Sequence, residues 1–226
     1  MKKLIITILL LCLGVASLIA AENIALLTAK KGKVDFTRGT KVLRFNTGEL
    51  LRNNDEIRTG GESFAAYKFV DGSSTVKVFS NSVVKIVANK DGKSLGKKVT
   101  LSKGSIFTQV NPQTGTFSVQ TPTTVASVKG TGFLSKITLD KQSMFIVTEG
   151  TVMLKIFDTT EEKAVEKGNT AIVEADGRFT IRTTTPADLS LMEKEEMDSL
   201  RARDNRTMRI PVIDPSGRTK YIEITY

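Results

Sequence analysis

The sequence predicts an all-β domain over residues 22–184, built as a sandwich, a barrel or a solenoid. This segment is rich in Val, Ile, Thr and Phe, which are residues that favour strands. Glycines interrupt it at intervals of roughly 10–18 residues, a spacing typical of short strands joined by tight turns. Its apolar residues also alternate with polar ones, as they do on strands that bury one face.

The alternation is clearest in residues 65–69. There Ala65, Tyr67 and Phe69 share the face predicted to meet a core, and Ala66 and Lys68 share the face predicted to meet solvent. Three further segments follow the same pattern: Phe117, Val119 and Thr121 alternate with Ser118 and Gln120; Phe133, Ile137 and Leu139 oppose Leu134, Lys136 and Thr138; and Val152, Leu154 and Ile156 behave likewise. Each segment is therefore predicted to be a half-buried strand.

Glycine stands two residues before a β-branched residue at Gly32, Gly104 and Gly150, with a fainter copy at Gly168. A glycine at the turn, followed by a branched residue that enters a strand, would suit stacked β coils, which favours a solenoid. Ordinary hairpin turns explain the spacing nearly as well, so a β-sandwich is the alternative fold.

After residue 184 the period of the apolar residues changes. Thr185 is suited to cap a helix, Pro186 to occupy its first turn and Asp188 to reach back to the cap. The apolar face of this helix, which is predicted to end near Arg203, consists of Leu189, Met192, Met197 and Leu200. Two further apolar segments, 209–213 and 221–225, flank a turn and predict a terminal hairpin.

The first 21 residues have the order of a secretory signal peptide, with Lys2 and Lys3 before a long apolar run. The alternative is an uncleaved anchor, because the run is close to the minimum for spanning a hydrocarbon core about 30 Å thick. We therefore expect a signal peptide at 1–21, a β domain at 22–184, an amphipathic helix at 185–204 and a hairpin at 205–226.

The chain carries a formal net charge of +9, of which Lys2 and Lys3 contribute two units. A cleaved product would be periplasmic or secreted, and its positive charge would favour anionic neighbours such as acidic proteins or cell-wall glycans. Export argues against nucleic acid as a partner, and no aromatic-studded basic motif of the RNA-binding kind is present. Membrane attachment is expected only if the signal segment is retained as an anchor.

The sequence contains no histidine, and its one cysteine, Cys12, lies within the predicted signal. Histidine-based catalysis, catalytic triads and histidine or thiolate metal sites are thereby excluded from the mature chain. No spacing of carboxylates suggests a zinc site or a calcium loop. We therefore expect no catalytic, metal-binding or cofactor-binding residues, and a protein that is not an enzyme.

Two short motifs imitate functional sequences. Ser82 and Lys85 match Ser-x-x-Lys, but the Val and Ile residues around them predict a strand rather than the helix that such a serine opens. Residues 92–98 resemble a phosphate-binding loop, yet they are one residue short between the glycines and lack Ser or Thr after the lysine. We predict a solvated Lys/Gly loop there.

A cluster of arginines near the end of the predicted helix is the one candidate anion site. Its members are Arg201, Arg203, Arg206 and Arg209. The alternative is that these side chains pair with charges at the C-terminal end of the helix or are solvated.

Seven short motifs occur in a fixed order along the β domain. They are DEIRTG from Asp55, AYKFVDGS from Ala66, NSVVKI from Asn81, LSKGSIF from Leu101, FSVQTP from Phe117, VKGTGF from Val128 and VTEGTV from Val147. In this order they resemble the FecR-like domain, the periplasmic sensor portion of iron-dicitrate-type anti-sigma regulators. The resemblance covers roughly residues 30–175.

The resemblance implies a compact, solenoid-like β domain with a role in protein–protein signalling. The full regulators place a sigma-binding region and a membrane helix before this domain, whereas we expect only a signal peptide here, so anti-sigma activity is not carried over. Sensing in the family is relayed through proteins, so no iron site is implied.

The motif residues are expected to have structural roles. They are Asp71, Gly72, Ser73, Gly104, Thr121, Pro122, Lys129, Gly130, Thr131, Phe133 and Gly150. Residues 71–73 would form a turn between strands, and Pro122 would break an edge after Thr121.

The expected function is that of an exported, non-catalytic binding or scaffold module of the cell envelope. It would contact a partner protein, most simply by strand addition at a sheet edge. Two alternatives are a detached sensor domain that regulates a separate membrane signalling protein, and a basic protein that binds anionic cell-wall glycan in a salt-dependent manner.

Overall fold

The computed structural model describes residues 22–225 apart from 92–93, 113–114, 158–160, 202–206 and 214–218. The predicted signal peptide at 1–21 lies outside the described residues. No helix in the described part of the chain is long and apolar enough to cross a membrane.

The described residues form strands β1 (Asn23–Lys31), β2 (Val34–Arg38), β3 (Lys41–Leu43), β4 (Leu50–Arg52), β5 (Glu56–Thr59), β6 (Phe64–Phe69), β7 (Ser74–Val78), β8 (Val83–Asp91), β9 (Ser94–Lys103), β10 (Ser105–Val110), β11 (Phe117–Gln120), β12 (Thr124–Val128), β13 (Gly132–Ile137), β14 (Ser143–Glu149), β15 (Thr151–Ile156), β16 (Glu162–Glu166), β17 (Asn169–Val173) and β18 (Phe179–Thr183). Helix α1 (Pro186–Arg201) and strands β19 (Thr207–Ile213) and β20 (Thr219–Thr225) follow.

The first eighteen strands form two nine-stranded sheets. One sheet, which we call the helix-covered sheet, has the order β18-β17-β14-β13-β10-β7-β6-β1-β4. The other, the open sheet, has the order β16-β15-β12-β11-β9-β8-β5-β2-β3. The all-β prediction is confirmed. The chain advances along both sheets together, so the architecture joins two facing sheets, as in a sandwich, with the steady progression of a solenoid.

Apart from the short excursion through β3 and β4, the connections between the sheets, which we call crossings, change ends midway along the chain. Those after β1, β5, β7 and β9 lie at one end of the strands, the upper end, and those after β10, β12, β14 and β16 lie at the opposite, lower end. The switch coincides with the one parallel pair among the described strands, β9 with β11, where Lys97 lies beside Phe117. All other strand pairs are antiparallel.

A single apolar core lies between the two sheets and receives side chains from both. Tyr67 and Phe69 reach it from the helix-covered sheet, and Phe117, Val119 and Leu154 reach it from the open sheet. Edge-to-face contacts connect the rings of Phe69 and Phe117, whose centroids lie 5.9 Å apart. The predicted core faces of these strands are therefore confirmed, because period-two alternation selects one face of a pleated strand.

A second, smaller apolar cluster lies on the outer face of the helix-covered sheet and corrects part of the predicted pattern. Ala66 and Leu134 were expected to face solvent, but both are buried there beside Phe64. The strands carry the predicted alternation, yet a helix that is distant in sequence covers the second face. Leu139, expected to share a face with Phe133, lies beyond the end of β13 and is fully exposed (102 %).

Helix α1 begins as predicted. The backbone N–H of Thr185 donates to the Asp188 carboxylate (2.8 Å), and the Asp188 N–H donates to the Thr185 hydroxyl (3.3 Å). These reciprocal bonds satisfy donors that the first turn leaves without helical partners. Arg182 on β18 also binds both carboxylate oxygens of Asp188, which joins the helix start to the sheet.

The predicted apolar face of the helix is wrong in part. Leu191 and Met192 pack against the sheet, whereas Leu189 and Met197 are nearly half exposed (48 % and 47 %). Two ion pairs across the interface accompany this orientation: Lys77 of β7 with Glu196 (2.6 Å), and Lys136 of β13 with Glu195 (2.7 Å). The side chain of Leu200 lies outside the described part.

Strands β19 and β20 form a separate two-stranded antiparallel sheet, in which Pro211 lies opposite Tyr221. The predicted terminal hairpin is therefore confirmed. The division of the chain into a β domain, a helix and a hairpin as domains stays a prediction.

The predicted Lys/Gly loop at 92–98 is wrong for its second half. Strand β9 begins at Ser94, and the Lys97 side chain is almost completely buried (1 % exposed). Local composition favours a loop here, but pairing with β8 on one side and β11 on the other imposes an extended strand.

Candidate interaction surface

The turn at 71–73 is tied to the opposite sheet by a buried cation. The carboxylate of Asp71 accepts the Ser73 N–H (3.1 Å) and contacts the ammonium of Lys97 (2.7 Å). The Lys97 ammonium also lies 6.0 Å from the centroid of the Phe69 ring. Burial opposes ionisation of Asp71, but the hydrogen bonds from Lys97 and Ser73 outweigh it and lower the pKa of this carboxyl below its ordinary value.

Gly72 completes this turn with φ +72°, and its N–H donates to the carbonyl of Phe69 (2.9 Å). Ser73 is buried, and its carbonyl accepts the N–H of Asn111 (2.8 Å). The turn therefore connects β6 to β7. Its contacts with Asn111, which follows β10, and with Lys97 of β9 hold it in place.

Gly104 and Gly150 form crossings between the sheets at opposite ends of the strands. Both have positive φ, +84° and +71°. A Cβ at Gly104 would lie 2.2 Å from the Oγ of Ser82, and one at Gly150 would lie 2.3 Å from the carbonyl oxygen of Gly130. Glycine is needed at these crossings because the backbone of one crossing packs directly on the next.

Residues 129–131 form the lower crossing on which Gly150 packs. Gly130 has φ +69° and approaches Pro112, while the buried hydroxyl of Thr131 donates to the carbonyl of Thr151 (3.1 Å). Lys129 is exposed. Phe133, which follows, lies in the core between the sheets.

A network of hydroxyl groups joins the sheets at the upper end. Thr121 accepts a hydrogen bond from Ser143 (2.8 Å), and Ser143 also pairs with the hydroxyl of Thr123 (2.7 Å). Pro122 lies in this turn between β11 and β12. Both strands have neighbours on their other side, so the expectation that Pro122 breaks a sheet edge is wrong; it ends a central strand instead.

The candidate anion cluster of four arginines stays a prediction. Arg201 is the last residue of α1 and Arg209 lies in β19. Arg203 and Arg206 lie outside the described part of the chain.

The two residues that match Ser-x-x-Lys lie in and beside a strand of the open sheet. Ser82 is buried directly before β8, and its hydroxyl accepts the N–H of Ser105 (2.9 Å). Lys85 follows on β8 with an exposed side chain. Among the described residues, no group of three or more His, Cys, Asp or Glu side chains is arranged to hold a metal ion.

A surface feature that sequence reasoning missed crosses the upper end. Its wider part, with a volume of about 540 Å³, lies between α1, the β13–β14 turn and the crossing at Gly104. Its narrower part, about 240 Å³, lies beside β2 and β5 of the open sheet. Asn81 and Lys103 line both parts, so the two are continuous.

We call this feature the basic furrow, after its cationic side chains: Lys33, Arg58, Lys103, Lys136, Lys141 and Lys194. Three carboxylates also line it: Asp35, Glu195 and Asp198. These residues are far apart in the sequence, so no short motif predicts the furrow. They come together because the crossings stack on one another at the upper end.

The comparisons with known proteins agree on the fold. The FecR protein family model matches residues 55–153. Two crystal structures of a proposed anti-sigma factor from Parabacteroides distasonis ATCC 8503, at 2.50 and 1.65 Å resolution, are similar in structure, with TM-scores of 0.51 and 0.50. Each alignment covers 75 % of this chain and 84 % of the other at 17 % sequence identity.

No curated protein matches the sequence. The family match begins at Asp55, at the first of the seven motifs, and ends at Met153, one residue after the last of them. The sequence resemblance and the structural likeness therefore concern the same double sheet. Residues 55–153 are thus similar to the FecR family, within a fold similar to that of the Parabacteroides structures.

Proposed function

We propose that the chain is an exported, non-catalytic FecR-like binding module of the cell envelope that acts through protein–protein contacts. The observation that carries the proposal is the edge strand β18, which ends the helix-covered sheet and is suited to pair with a strand of a partner. The match to the FecR family and the lack of histidine are consistent with binding rather than catalysis.

The register of β18 determines which backbone groups are turned outward. The N–H of Thr184 donates to Gly168 and the N–H of Glu174 donates to Arg178, so the bonded pairs with β17 recur at every second residue between them. By this alternation the N–H and C=O groups of Phe179, Ile181 and Thr183 point to the open side. They form a row to which an extended peptide can hydrogen-bond.

The other three edges are less suitable. Strands β3 and β4 have only three residues each. Strand β16 has five residues, but Glu162, Lys163 and Glu166 occupy three of them. Charged side chains on an edge strand disfavour pairing with other chains. In β18 the corresponding positions carry one charged residue, Arg182, whose guanidinium is held by Asp188.

The proposal is tested with two proline variants at the same end of the molecule. Ile181→Pro removes an outward N–H from β18, and Ala164→Pro removes an outward N–H from β16. The full chain, tagged at its C-terminus in the native host, is crosslinked in living cells and its adducts are identified by mass. We expect Ile181→Pro to lose the protein adduct and Ala164→Pro to retain it, with far-ultraviolet circular dichroism unchanged in both.

An adduct that persists in a folded Ile181→Pro variant would contradict strand addition. The absence of any envelope protein among the adducts of the unaltered chain would contradict the binding function itself.

A second candidate is a detached sensor domain that acts on a separate membrane signalling protein. The likeness of the fold to that of a proposed anti-sigma factor favours it. Deletion should then change transcription of an envelope or uptake operon. Unchanged transcript levels under iron, sugar and envelope stress would argue against this candidate.

A further inference from the structure

We infer that the basic furrow binds an extended acidic peptide segment that carries apolar side chains between its carboxylates. The inference rests on the proposed function only in taking the ligand to be part of a protein. It concerns a different surface, because β18 ends the helix-covered sheet whereas the furrow crosses the middle of the upper end.

The first argument is charge. Two of the six cations are already paired: Lys136 with Glu195 (2.7 Å) and Arg58 with Glu56 (2.7 Å). The other four, Lys33, Lys103, Lys141 and Lys194, form no ion pair with any residue that the structure describes. They outnumber the remaining carboxylates of the lining, Asp35 and Asp198. A depression lined by an excess of one sign of charge raises the local concentration of oppositely charged ligands.

The second argument is apolar surface, which separates a peptide from a uniformly anionic polymer. Leu139 stands fully exposed at the rim of the wider part, and half-buried Leu191 and Ile137 line its wall. A fully exposed leucine beside lysines offers contact to an apolar side chain, which a polyphosphate or a simple anionic glycan lacks. A peptide that alternates carboxylates with apolar residues matches both features.

The third argument is rigidity. The floor of the furrow is the stack of upper crossings, in which the N–H of Gly60 donates to Lys33 and the N–H of Asn81 donates to Gly60 (2.9 Å each). The Ser82 hydroxyl bonds both the N–H and the carbonyl of Ser105 (2.9 and 3.1 Å). A ligand therefore meets a surface whose backbone is already ordered, so little conformational entropy is lost from the protein on binding.

The test uses a fluorescein-labelled peptide with three repeats of Glu-Leu-Glu-Gly, its counterpart with Ser in place of Leu, and inorganic polyphosphate. Binding to the full chain is measured by fluorescence anisotropy. The furrow variant combines Lys103→Glu and Lys141→Glu. The matched control combines Lys98→Glu and Lys155→Glu, two exposed lysines on the open sheet outside the furrow.

We expect the furrow variant to raise the Kd for the leucine peptide by roughly tenfold and the control to raise it by less than about threefold. Leu139→Ser should raise the Kd for the leucine peptide by roughly threefold and leave the serine peptide unaffected. Because Leu139 is fully exposed, its substitution should not change the thermal unfolding midpoint.

Three results would overturn the inference. Absence of binding of the leucine peptide would show that this ligand class is wrong. Equal losses in the furrow and control variants would show general attraction to a basic protein. Binding of polyphosphate that depends on Lys103 and Lys141 but not on Leu139, together with equal affinity for the two peptides, would assign the furrow to an anionic polymer.

A photocrosslinking amino acid in place of Leu139 or of Ile181 separates this inference from the proposed function in living cells. Protein adducts at both positions support both. Adducts at Ile181 alone would support the binding function at β18 and overturn the proposal that the furrow is a peptide site. Adducts at Leu139 alone would retain the furrow and overturn strand addition, and adducts at neither would overturn both.

Discussion

Gly104 and Gly168 occupy corresponding crossings in the two halves of the double sheet. Each leads from the open sheet to the helix-covered sheet, and their φ angles are nearly equal, +84° and +82°. Their surroundings differ: a Cβ at Gly104 would overlap Ser82, whereas a Cβ at Gly168 would meet nothing within 4 Å. At Gly104, glycine is thus required both by the positive φ and by the lack of room for a Cβ. At Gly168, only the positive φ favours glycine.

The same difference is found in the ion pairs of the two regions. The Asp71–Lys97 pair of the first half joins the two sheets, and its lysine side chain is 1 % exposed. The Asp176–Arg178 pair lies in the turn between β17 and β18, with both side chains largely exposed. The Asp71–Lys97 pair therefore joins distant segments, whereas the Asp176–Arg178 pair joins near neighbours within one turn.

The largest expected effect comes from alanine at the two glycines. Gly104→Ala should lower the free energy of unfolding by more than about 3 kcal/mol, because strain at positive φ adds to overlap with Ser82. Gly168→Ala should lower it by about 1 kcal/mol, from conformation alone. Guanidinium unfolding of both variants measures the difference. Equal losses would mean that the backbone at residue 82 can move aside, contrary to the close packing inferred here.

The next effect concerns the buried pair. Asp71→Asn leaves the ammonium of Lys97 without its carboxylate in a buried position, so we expect a loss of about 2–3 kcal/mol. Asp176→Asn is the matched control in an exposed turn and should cause no measurable change. Urea unfolding of the two variants tests the contrast. A loss that is similar in both would show that water reaches Lys97 readily.

A smaller effect is expected where helix α1 joins β18. Asp188→Asn replaces the carboxylate that accepts hydrogen bonds from Arg182 and Thr185 with a neutral amide, which should destabilise the protein by about 1 kcal/mol at pH 7. The hydrogen bonds from Arg182, together with those from Thr185, outweigh burial and hold the pKa of Asp188 well below its ordinary value of 3.8. A depressed pKa stabilises the folded state above pH 4 and loses this contribution as the pH falls further.

The difference in stability between the unaltered chain and Asp188→Asn should therefore be constant from pH 7 to about pH 5 and should narrow below pH 4. Amide hydrogen exchange at Leu191 and Met192 distinguishes local release of the helix from global unfolding. A difference in stability between the two proteins that grows as the pH falls would contradict this link between the protonation of Asp188 and stability.

The sequence was sufficient to predict the features that depend on near neighbours. Period-two alternation identified the core face of β6 and β15, and the Thr185–Asp188 spacing identified the helix start. The spacing of glycine before a branched residue identified four crossings, at Gly32, Gly104, Gly150 and Gly168, each of which has positive φ. These features are set by the pleat of a strand, the geometry of a first turn and the conformational freedom of glycine.

What could not be predicted depends on segments distant in sequence. Ala66 and Leu134 are buried because α1, which follows all eighteen strands of the two sheets, covers their face. Lys97 is buried because β9 pairs in parallel with β11 and faces the turn at Asp71. The basic furrow depends on the stacking of crossings that are far apart along the chain, and no pattern within a window of a few residues encodes such stacking.

The steady advance of the chain along both sheets has a mechanical consequence. The N-terminal strands lie towards one end of the long axis and β18 ends the helix-covered sheet at the other, so tension between them acts across the strands rather than along them. Hydrogen bonds between strands that are pulled apart in this direction break one after another. Bonds loaded along the strands would have to break together. A partner bound to β18 would therefore peel the last strands away under a modest pull, while the enclosed first half stayed folded.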